Sequence, residues 1–436
     1  MGQNNKIAFH PISTLTGECE VPGDKSISHR AVIFGSISKG ITEINNFLPG
    51  LDCISTISCF QKLGVEIKQK TSSTVIVKGV GLHGLLEPYD VLDVGNSGTT
   101  IRLLTGLLSG TKFYSVLTGD SSIRKRPMKR VKEPLQQMGA NLMGRDQGNL
   151  APITIIGAPL QPMHYHSPVA SAQVKSSILL AGLWVDGQTV VTEPTKSRDH
   201  TERMYTSFGG SLHVDGNTVT ILGGSPKLEG QKVNVPGDIS SAAFLMVAAS
   251  IIPNSEICIR NVGMNPTRSG IVDALLAMNA DIEIINERKY GEELVADFIV
   301  RSSNLIGTEI SGDIIPRLID EIPVLLIAAT QAKGKTVIRD AKELRVKETD
   351  RIQVMHDELL KLGVITIPRE DGMEIDGEQE FTSGTIYTHH DHRIGMCFAI
   401  AGCVAKGPIF IEDYDAVKVS FPNFTEVMNS LGAICE

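Results

Sequence analysis

Strand-like runs of alternating apolar residues and helical stretches with apolar positions three and four apart follow one another along the whole chain in a fixed order. The same pattern is written six times, about every 70 residues: a glycine or turn, a strand-like run, a helical stretch, a small residue and a second strand-like run. The copies open at Gly40 (GITEINNF to LGVEI), Gly110 (GTKFYSVL to MGANL), Gly187 (GQTVVTEP to FGGSLHV), Asn254 (NSEICIRN to NADIEI), Gly334 (GKTVIRD to LGVITI) and Gly407 (GPIFIED to LGAIC). One such unit cannot bury both faces of its strands and helix, so several must pack together.

A coarser repeat lies over the finer one. Val21-Pro22-Gly23-Asp24 recurs almost half the chain later as Val235-Pro236-Gly237-Asp238, each time ahead of a Ser-containing helical run. A mixed α/β (α+β) protein of two similar domains is predicted, three units in each. Residues 22–236 form one domain, and residues 1–21 with 237–436 form the other. The residues before the first VPGD are then free to pair with the second half, and the chain crosses between domains twice.

Composition changes this picture little. The 436 residues, 42% hydrophobic, can bury large cores, and the longest apolar run, Ala242 to Ala249, is far short of a membrane span. The start, MGQNNKIAFH, has no apolar signal region. Seven cysteines form no CxxC pair, which argues against a disulfide framework or zinc site and for a reducing cytoplasm. A net charge of −8 speaks against broad nucleic-acid contact.

The chemistry gathers at helix starts and loops. In VPGDKSISHR, helix is expected from Ser26 onward, so free backbone N–H groups stand beside Lys25, Ser26 and Arg30, a set suited to an oxyanion; the competing reading is a Ser cap with two solvated cations. Asn96-Ser97-Gly98-Thr99 forms a second cradle between strand and helix, where Gly98 allows close approach of a ligand. SSIRKRPMKR crowds Arg124, Lys125, Arg126, Lys129 and Arg130 around Pro127. Ser171 reads as an N-cap with Gln173 and Lys175 in the first turns behind it, and Ser197 and Arg198 precede another helix. In ELRVKETDRI, Lys347 and Arg351 fall at i and i+4 of an expected helix, a repulsive placement that makes sense beside an anion; Glu348 can partner either, and a salt-bridged surface helix is the plainer alternative. Asp320 and Glu321 interrupt an apolar stretch and are candidates for a general base or a helix cap. His389, His390, Asp391, His392 and Arg393 precede an apolar helix, and the arginine argues against a metal there. His164-Tyr165-His166 reads as a loop.

Taken in series, GDKSISHR, GNSGT, LTGD with KRP, SAQVKS, RDHTE, LRVKETDR and DHRIGM resemble the 5-enolpyruvylshikimate-3-phosphate synthases, also called 3-phosphoshikimate 1-carboxyvinyltransferases, and RDHTE and SAQVK resemble their class II branch. The resemblance runs over nearly the whole chain, to SFPNF. It implies two domains, each of three βαβαββ units, and transfer of the enolpyruvyl group of phosphoenolpyruvate to the 5-hydroxyl of shikimate 3-phosphate, with no cofactor or metal, by a cytoplasmic monomer. It also implies roles. Lys25 touches both substrates and supports the acid–base pair; Ser26, Arg30, Ser171, Ala172, Gln173, Arg198 and Lys347 hold shikimate 3-phosphate; Gly98, Arg126, Arg351 and Arg393 belong to the phosphoenolpyruvate side, and Asn96 is a further substrate-binding position. Asp320 matches the acceptor of the hydroxyl proton, which also places it against shikimate 3-phosphate, and Glu348 matches the donor to the methylene carbon. His392 adjoins Arg393 without a settled role. These ligands divide between the two halves, so closure of the halves over the substrates is expected.

The chain departs from the family pattern at Leu103, where many members have proline, and at Val419, where some have a lysine; here Lys418 lies one residue earlier. Two other readings compete. UDP-N-acetylglucosamine enolpyruvyl transferases share the fold but use a loop cysteine, and no cysteine lies between Cys59 and Cys258. A six-repeat nucleic-acid clamp would need an even basic stripe, whereas the charges here concentrate in particular loops.

Overall fold

The structure, a computed structural model, describes residues 6–224 and 226–436. Its described strands form six four-stranded sheets of one design: an edge strand runs parallel to the second, and the third and fourth follow antiparallel. In three of them the chain order is uninterrupted. The unit that begins at Leu92–Asp93 continues through helix Gly98–Ser109, strand Tyr114–Thr118, helix Lys129–Gln137 and strands Asn141–Gly144 and Leu150–Ile156. A fourth sheet, with Gly384–Tyr387, Ile409–Glu412 and Ile434–Cys435, takes its remaining strand, Ile7–His10, from the other end of the chain. The last two draw their parallel edge strands from just ahead of the VPGD motifs. Thr16–Glu20 pairs with Glu256–Gly263, and Lys232–Asn234 pairs with Lys39–Asn45.

The chain divides into two compact units. One comprises the chain up to Pro22 with Pro236–Lys289 and Glu293–Glu436; the other is Gly23–Val235 with Tyr290–Glu292. Each has its own apolar core. Both VPGD motifs lie where the chain passes between units, and their glycines are needed for close packing: a Cβ on Gly23 would stand 1.8 Å from the Asn46 carbonyl oxygen, and one on Gly237 2.8 Å from a Val21 methyl.

The repeat carries two kinds of helix. The second in each copy, such as Arg351–Lys361, buries one face only, as its apolar spacing dictates. The first is buried nearly all round: Lys25–Ile37, Gly98–Ser109 and Ala172–Gly182 in one unit, Ile239–Ile251, Ile322–Gln331 and His392–Gly402 in the other. Within the second set each helix packs on both others, and Gly98–Ser109 packs on both of its counterparts in the first. Their sequences leave no polar stripe, and the charged residues they carry all fall within their first two turns. No helix among the described residues is long and apolar enough to cross a membrane, and the seven cysteines are free thiols.

Met163–His166 is a strand rather than a loop, parallel to Gln188–Thr192. Met163 and Tyr165 pack on the core, so the alternation is real but only two apolar residues long.

Candidate active site

In the unit Gly23–Val235 the three buried helices begin at three of the motifs read from the sequence. Helix Lys25–Ile37 is capped by Asp24, whose Oδ1 accepts the Ile27 N–H at 2.8 Å, so Ser26 is not the capping residue. Lys25 Nζ lies 3.2 Å from Asp52 Oδ2. Arg30 is buried; its Nε donates to Thr201 Oγ1 (2.7 Å), one terminal nitrogen to Ser176 Oγ (2.9 Å) and the other to the Ser26 carbonyl (3.0 Å). It thereby ties its own helix to Ala172–Gly182 and His200–Ser207.

The second cradle is held by a short polar chain. Asn96 donates through Nδ2 to Asp120 (2.6 Å) and accepts from an Arg126 terminal nitrogen (3.0 Å), joining the NSG turn, the LTGD loop and the KRP loop. Ser97 caps helix Gly98–Ser109 by accepting the Thr100 N–H. A Cβ on Gly98 would fall 2.8 Å from a terminal nitrogen of Arg102 and 3.0 Å from one of Arg126, so both guanidinium groups crowd the open side of this glycine. Gln173 Nε2 donates to Thr99 Oγ1 (3.0 Å), bringing the start of helix Ala172–Gly182, with Ser171 as its N-cap residue, against the cradle. Arg198 sits partly buried in the loop before helix His200–Ser207.

Beneath the two cradles runs a buried hydroxyl chain. His29 Nδ1 is 2.7 Å from Thr56 Oγ1, which is 2.7 Å from Thr100 Oγ1, which donates to Ser97 Oγ at 2.7 Å. Burial, reinforced by the charges of Lys25 and Arg30, holds the His29 pKa well below its ordinary value, so this imidazole stays neutral.

The other unit gathers carboxylates around a guanidinium. Arg351 is 2% exposed and meets three of them: Asp391 (Nε to Oδ2 2.8 Å, a terminal nitrogen to Oδ1 3.3 Å), Glu348 (2.6 Å) and Asp320 (3.3 Å). Burial alone would lower its pKa, but Asp391, Glu348 and Asp320 outweigh it and hold the group firmly charged. Lys347 Nζ is 3.4 Å from the same Asp320 oxygen.

The expected helix through Lys347 and Arg351 does not exist. Asp350 caps helix Arg351–Lys361 by accepting the Gln353 N–H, and Lys347 lies ahead of it, after the 3-10 turn Lys342–Val346. The two cations share an anion, as their placement requires, but that anion is Asp320. The ion pairs of the surface-helix alternative do form, Glu343 with Lys347 (3.5 Å), Glu348 with Arg351 (2.6 Å) and Asp350 with Arg345 (2.8 Å), but about a buried arginine and not along one exposed helix.

Asp320 and Glu321 divide their duties at the start of helix Ile322–Gln331. Glu321 is fully buried, accepts from Ser240 Oγ and lies 3.6 Å from a terminal nitrogen of Arg393. Arg268, also buried, donates to that Ser240 hydroxyl (2.6 Å) and to Asp238 (3.2 Å). Nothing in PTRSG marked Arg268 in the sequence, and Asp52 and Asp120 were equally silent as partners. Asp391 caps helix His392–Gly402 through the Arg393 N–H, with His392 as its buried first residue. Lys418 is exposed and paired with Asp415 at 2.6 Å.

Each unit thus brings its sequence candidates to the starts of its helices and the loops that lead into them. The first offers cations and backbone N–H groups fit for phosphate and carboxylate; the second offers carboxylates held by cations, fit for proton transfer.

Comparison with known proteins agrees over the full chain. The family model described as EPSP synthase (3-phosphoshikimate 1-carboxyvinyltransferase) matches residues 9–428. The 3-phosphoshikimate 1-carboxyvinyltransferase of Geobacillus kaustophilus is 56% identical over 422 residues, 96% of this chain and 98% of that protein. That of Bacillus subtilis is 54% identical over 421 residues, with the same coverage. Among solved structures, EPSP synthase from Acinetobacter baumannii superposes with a TM-score of 0.90 at 46% identity, covering 99% of both chains. The enolpyruvyl transferase NikO from Streptomyces tendae reaches 0.81 at 17% identity over 100% of this chain and 99% of that one, a likeness of fold alone. A clamp has no place in this company, and the chain belongs to the EPSP synthase (3-phosphoshikimate 1-carboxyvinyltransferase) family.

Proposed function

We propose that this protein catalyses the reaction for which its family is named: the 5-hydroxyl oxygen of shikimate 3-phosphate bonds to the central carbon of phosphoenolpyruvate, and phosphate leaves from the resulting tetrahedral intermediate. The observation that carries the chemistry is the attachment of Asp320 and Glu348 to one guanidinium, that of Arg351. Addition requires a base and an acid together. Asp320 takes the hydroxyl proton, Glu348 supplies a proton to the methylene carbon, and loss of a proton from the same carbon as phosphate departs restores the double bond.

Binding falls to the cations. Lys25, Ser26, Arg30, Ser171, Ala172, Gln173, Arg198 and Lys347 serve shikimate 3-phosphate, Arg30 chiefly by fixing helices, since its nitrogens already hold protein oxygens. Asn96, Gly98, Arg126, Arg351 and Arg393 serve phosphoenolpyruvate, to which Lys25 also contributes. An anion arriving at Arg351 competes with Glu348 for that guanidinium, and a carboxylate parted from its cation takes up a proton more readily, which is what an acid catalyst needs. The protein works as a cytoplasmic monomer without cofactor, a setting that suits its seven free thiols.

The decisive experiment is a phosphate-release assay with both substrates. Release that requires shikimate 3-phosphate and phosphoenolpyruvate together supports the reading; no release, or release with UDP-N-acetylglucosamine in place of shikimate 3-phosphate, rejects it.

A further inference from the structure

Below the segments that carry Ser171 and Arg198 lies a buried ionic group that the reaction does not use. Lys175 is 2% exposed, and its Nζ stands 2.9 Å from Glu193 and 2.8 Å from Glu202, themselves 3% and 4% exposed. Burial opposes the ammonium charge, but the two carboxylates outweigh it and keep the lysine protonated. Two carboxylates on one ammonium are one more than an isolated pair needs, and taking a second carboxylate out of water is costly unless it binds something else.

Glu193 does bind something else. Its Oε1 accepts the backbone N–H of Ser171 at 2.9 Å. Its Oε2 accepts the backbone N–H of Ser197 at 3.2 Å and the Ser197 hydroxyl at 2.9 Å, beside the Lys175 ammonium. Lys175 in turn reaches the Ser197 carbonyl at 3.4 Å. One carboxylate therefore spans two loops distant in sequence, the one that opens helix Ala172–Gly182 and the one that leads through Arg198 to helix His200–Ser207.

We infer that Glu193 is a positioning residue for shikimate 3-phosphate, a strut that fixes Ser171 and the Ser197–Arg198 loop in their binding arrangement before the substrate arrives. The inference rests on the proposed reaction. Its physical content is preorganisation: loops already held by a buried acceptor lose little further freedom when they close on an anion. Glu202 shares Lys175 but acts from within helix His200–Ser207, so it steadies the core without spanning the two loops.

Glu193→Gln distinguishes the strut from a plain core contact. An amide nitrogen cannot accept, so whichever way the glutamine turns, either Ser171 or Ser197 loses the acceptor of its backbone N–H. Shikimate 3-phosphate affinity of the whole protein, measured by calorimetry, should fall about tenfold, the effect of a buried donor left unmatched. In the assay its KM should rise alike, while kcat and the KM for phosphoenolpyruvate stay within about twofold. Glu202→Gln should lower the melting temperature yet keep shikimate 3-phosphate affinity within about twofold of wild type.

Unchanged affinity in Glu193→Gln, or equal losses in both variants, overturns the inference. Should Glu193→Gln fail to fold, Ser197→Ala, which removes only the hydroxyl donor, decides: affinity reduced about threefold upholds the strut, and unchanged affinity rejects it. A wild-type protein that binds no shikimate 3-phosphate rejects the reaction and this inference together, an outcome distinct from normal binding that is indifferent to Glu193.

Discussion

Asp320 and Glu348 are fastened to the two terminal nitrogens of one arginine, at 3.3 Å and 2.6 Å from Arg351. The base and the acid of the proposed addition are thus set by a single rigid fork, itself braced at Nε by Asp391. Asp320→Asn keeps the shape of the side chain and removes its basicity. It should lower kcat by about 10²–10⁴ while shikimate 3-phosphate binding changes far less. Steady-state kinetics with calorimetric binding checks this, and turnover at the wild-type rate would show that another group takes the proton.

The cradle around Arg126 predicts a different signature. Arg126→Ala should chiefly raise the KM for phosphoenolpyruvate, by about 10- to 100-fold, the usual worth of a hydrogen bond to a charged group. Asn96→Ala removes the amide that orients Arg126, so it should move the same constant in the same direction by a smaller factor. A rise confined to shikimate 3-phosphate in either variant would reassign the cradle.

Family resemblance makes glyphosate a probe of Gly98, since in these enzymes it occupies the phosphoenolpyruvate site. The wild-type protein should be sensitive, and Gly98→Ala should raise the inhibition constant more than it raises the KM for phosphoenolpyruvate. The KM will not escape, because the new methyl would meet a terminal nitrogen of Arg126 at 3.0 Å. Inhibition titrations of both proteins decide, and a wild-type protein as tolerant as the variant would remove residue 98 as the determinant.

His29 should make stability depend on pH. Its folded pKa lies well below the ordinary value, so the unfolded chain binds a proton that the folded one refuses. Stability is then full above about pH 6.5 and falls as pH drops through it, by about 1.4 kcal/mol between pH 7.5 and 5.5 from this residue alone. Denaturant unfolding at several pH values should show that loss in the wild type. His29→Gln, which can still bond Thr56 but does not titrate in this range, should lack it; equal slopes would mean the imidazole is protonated in the folded protein.

The sixfold repeat was legible because each copy obeys local rules: a turn glycine, an alternating run, a helical spacing. The places that resisted are those where a side chain answers to a distant residue. Lys347 and Arg351 read as one helix because Asp350 looked like one more surface acid; its capping of the Gln353 N–H moves the helix start to Arg351. Met163–His166 offered too short an alternation to outweigh its polar residues. Arg268 and Glu193 sit in loops with no periodicity, and their partners Asp238 and Ser171 lie 30 and 22 residues away, so nothing local reveals them. Lys25, Gly98 and Arg126 were visible through the motifs taken in series, and Asp320 as an acid interrupting an apolar stretch, yet what each one touches was not.

The edge strand Thr16–Glu20 pairs with Glu256–Gly263 across some 240 residues of chain. During synthesis the first strands to emerge must therefore wait, unpaired, while the whole of Gly23–Val235 is made. That inner segment carries every strand of its three sheets, including Lys232–Asn234 for Lys39–Asn45, and can finish folding on the ribosome. The outer unit has no such option. Two of its three sheets close only after Glu256–Gly263 and Ile409–Glu412 have appeared, so an exposed hydrophobic intermediate, inner half complete and outer half open, is built into the order of translation.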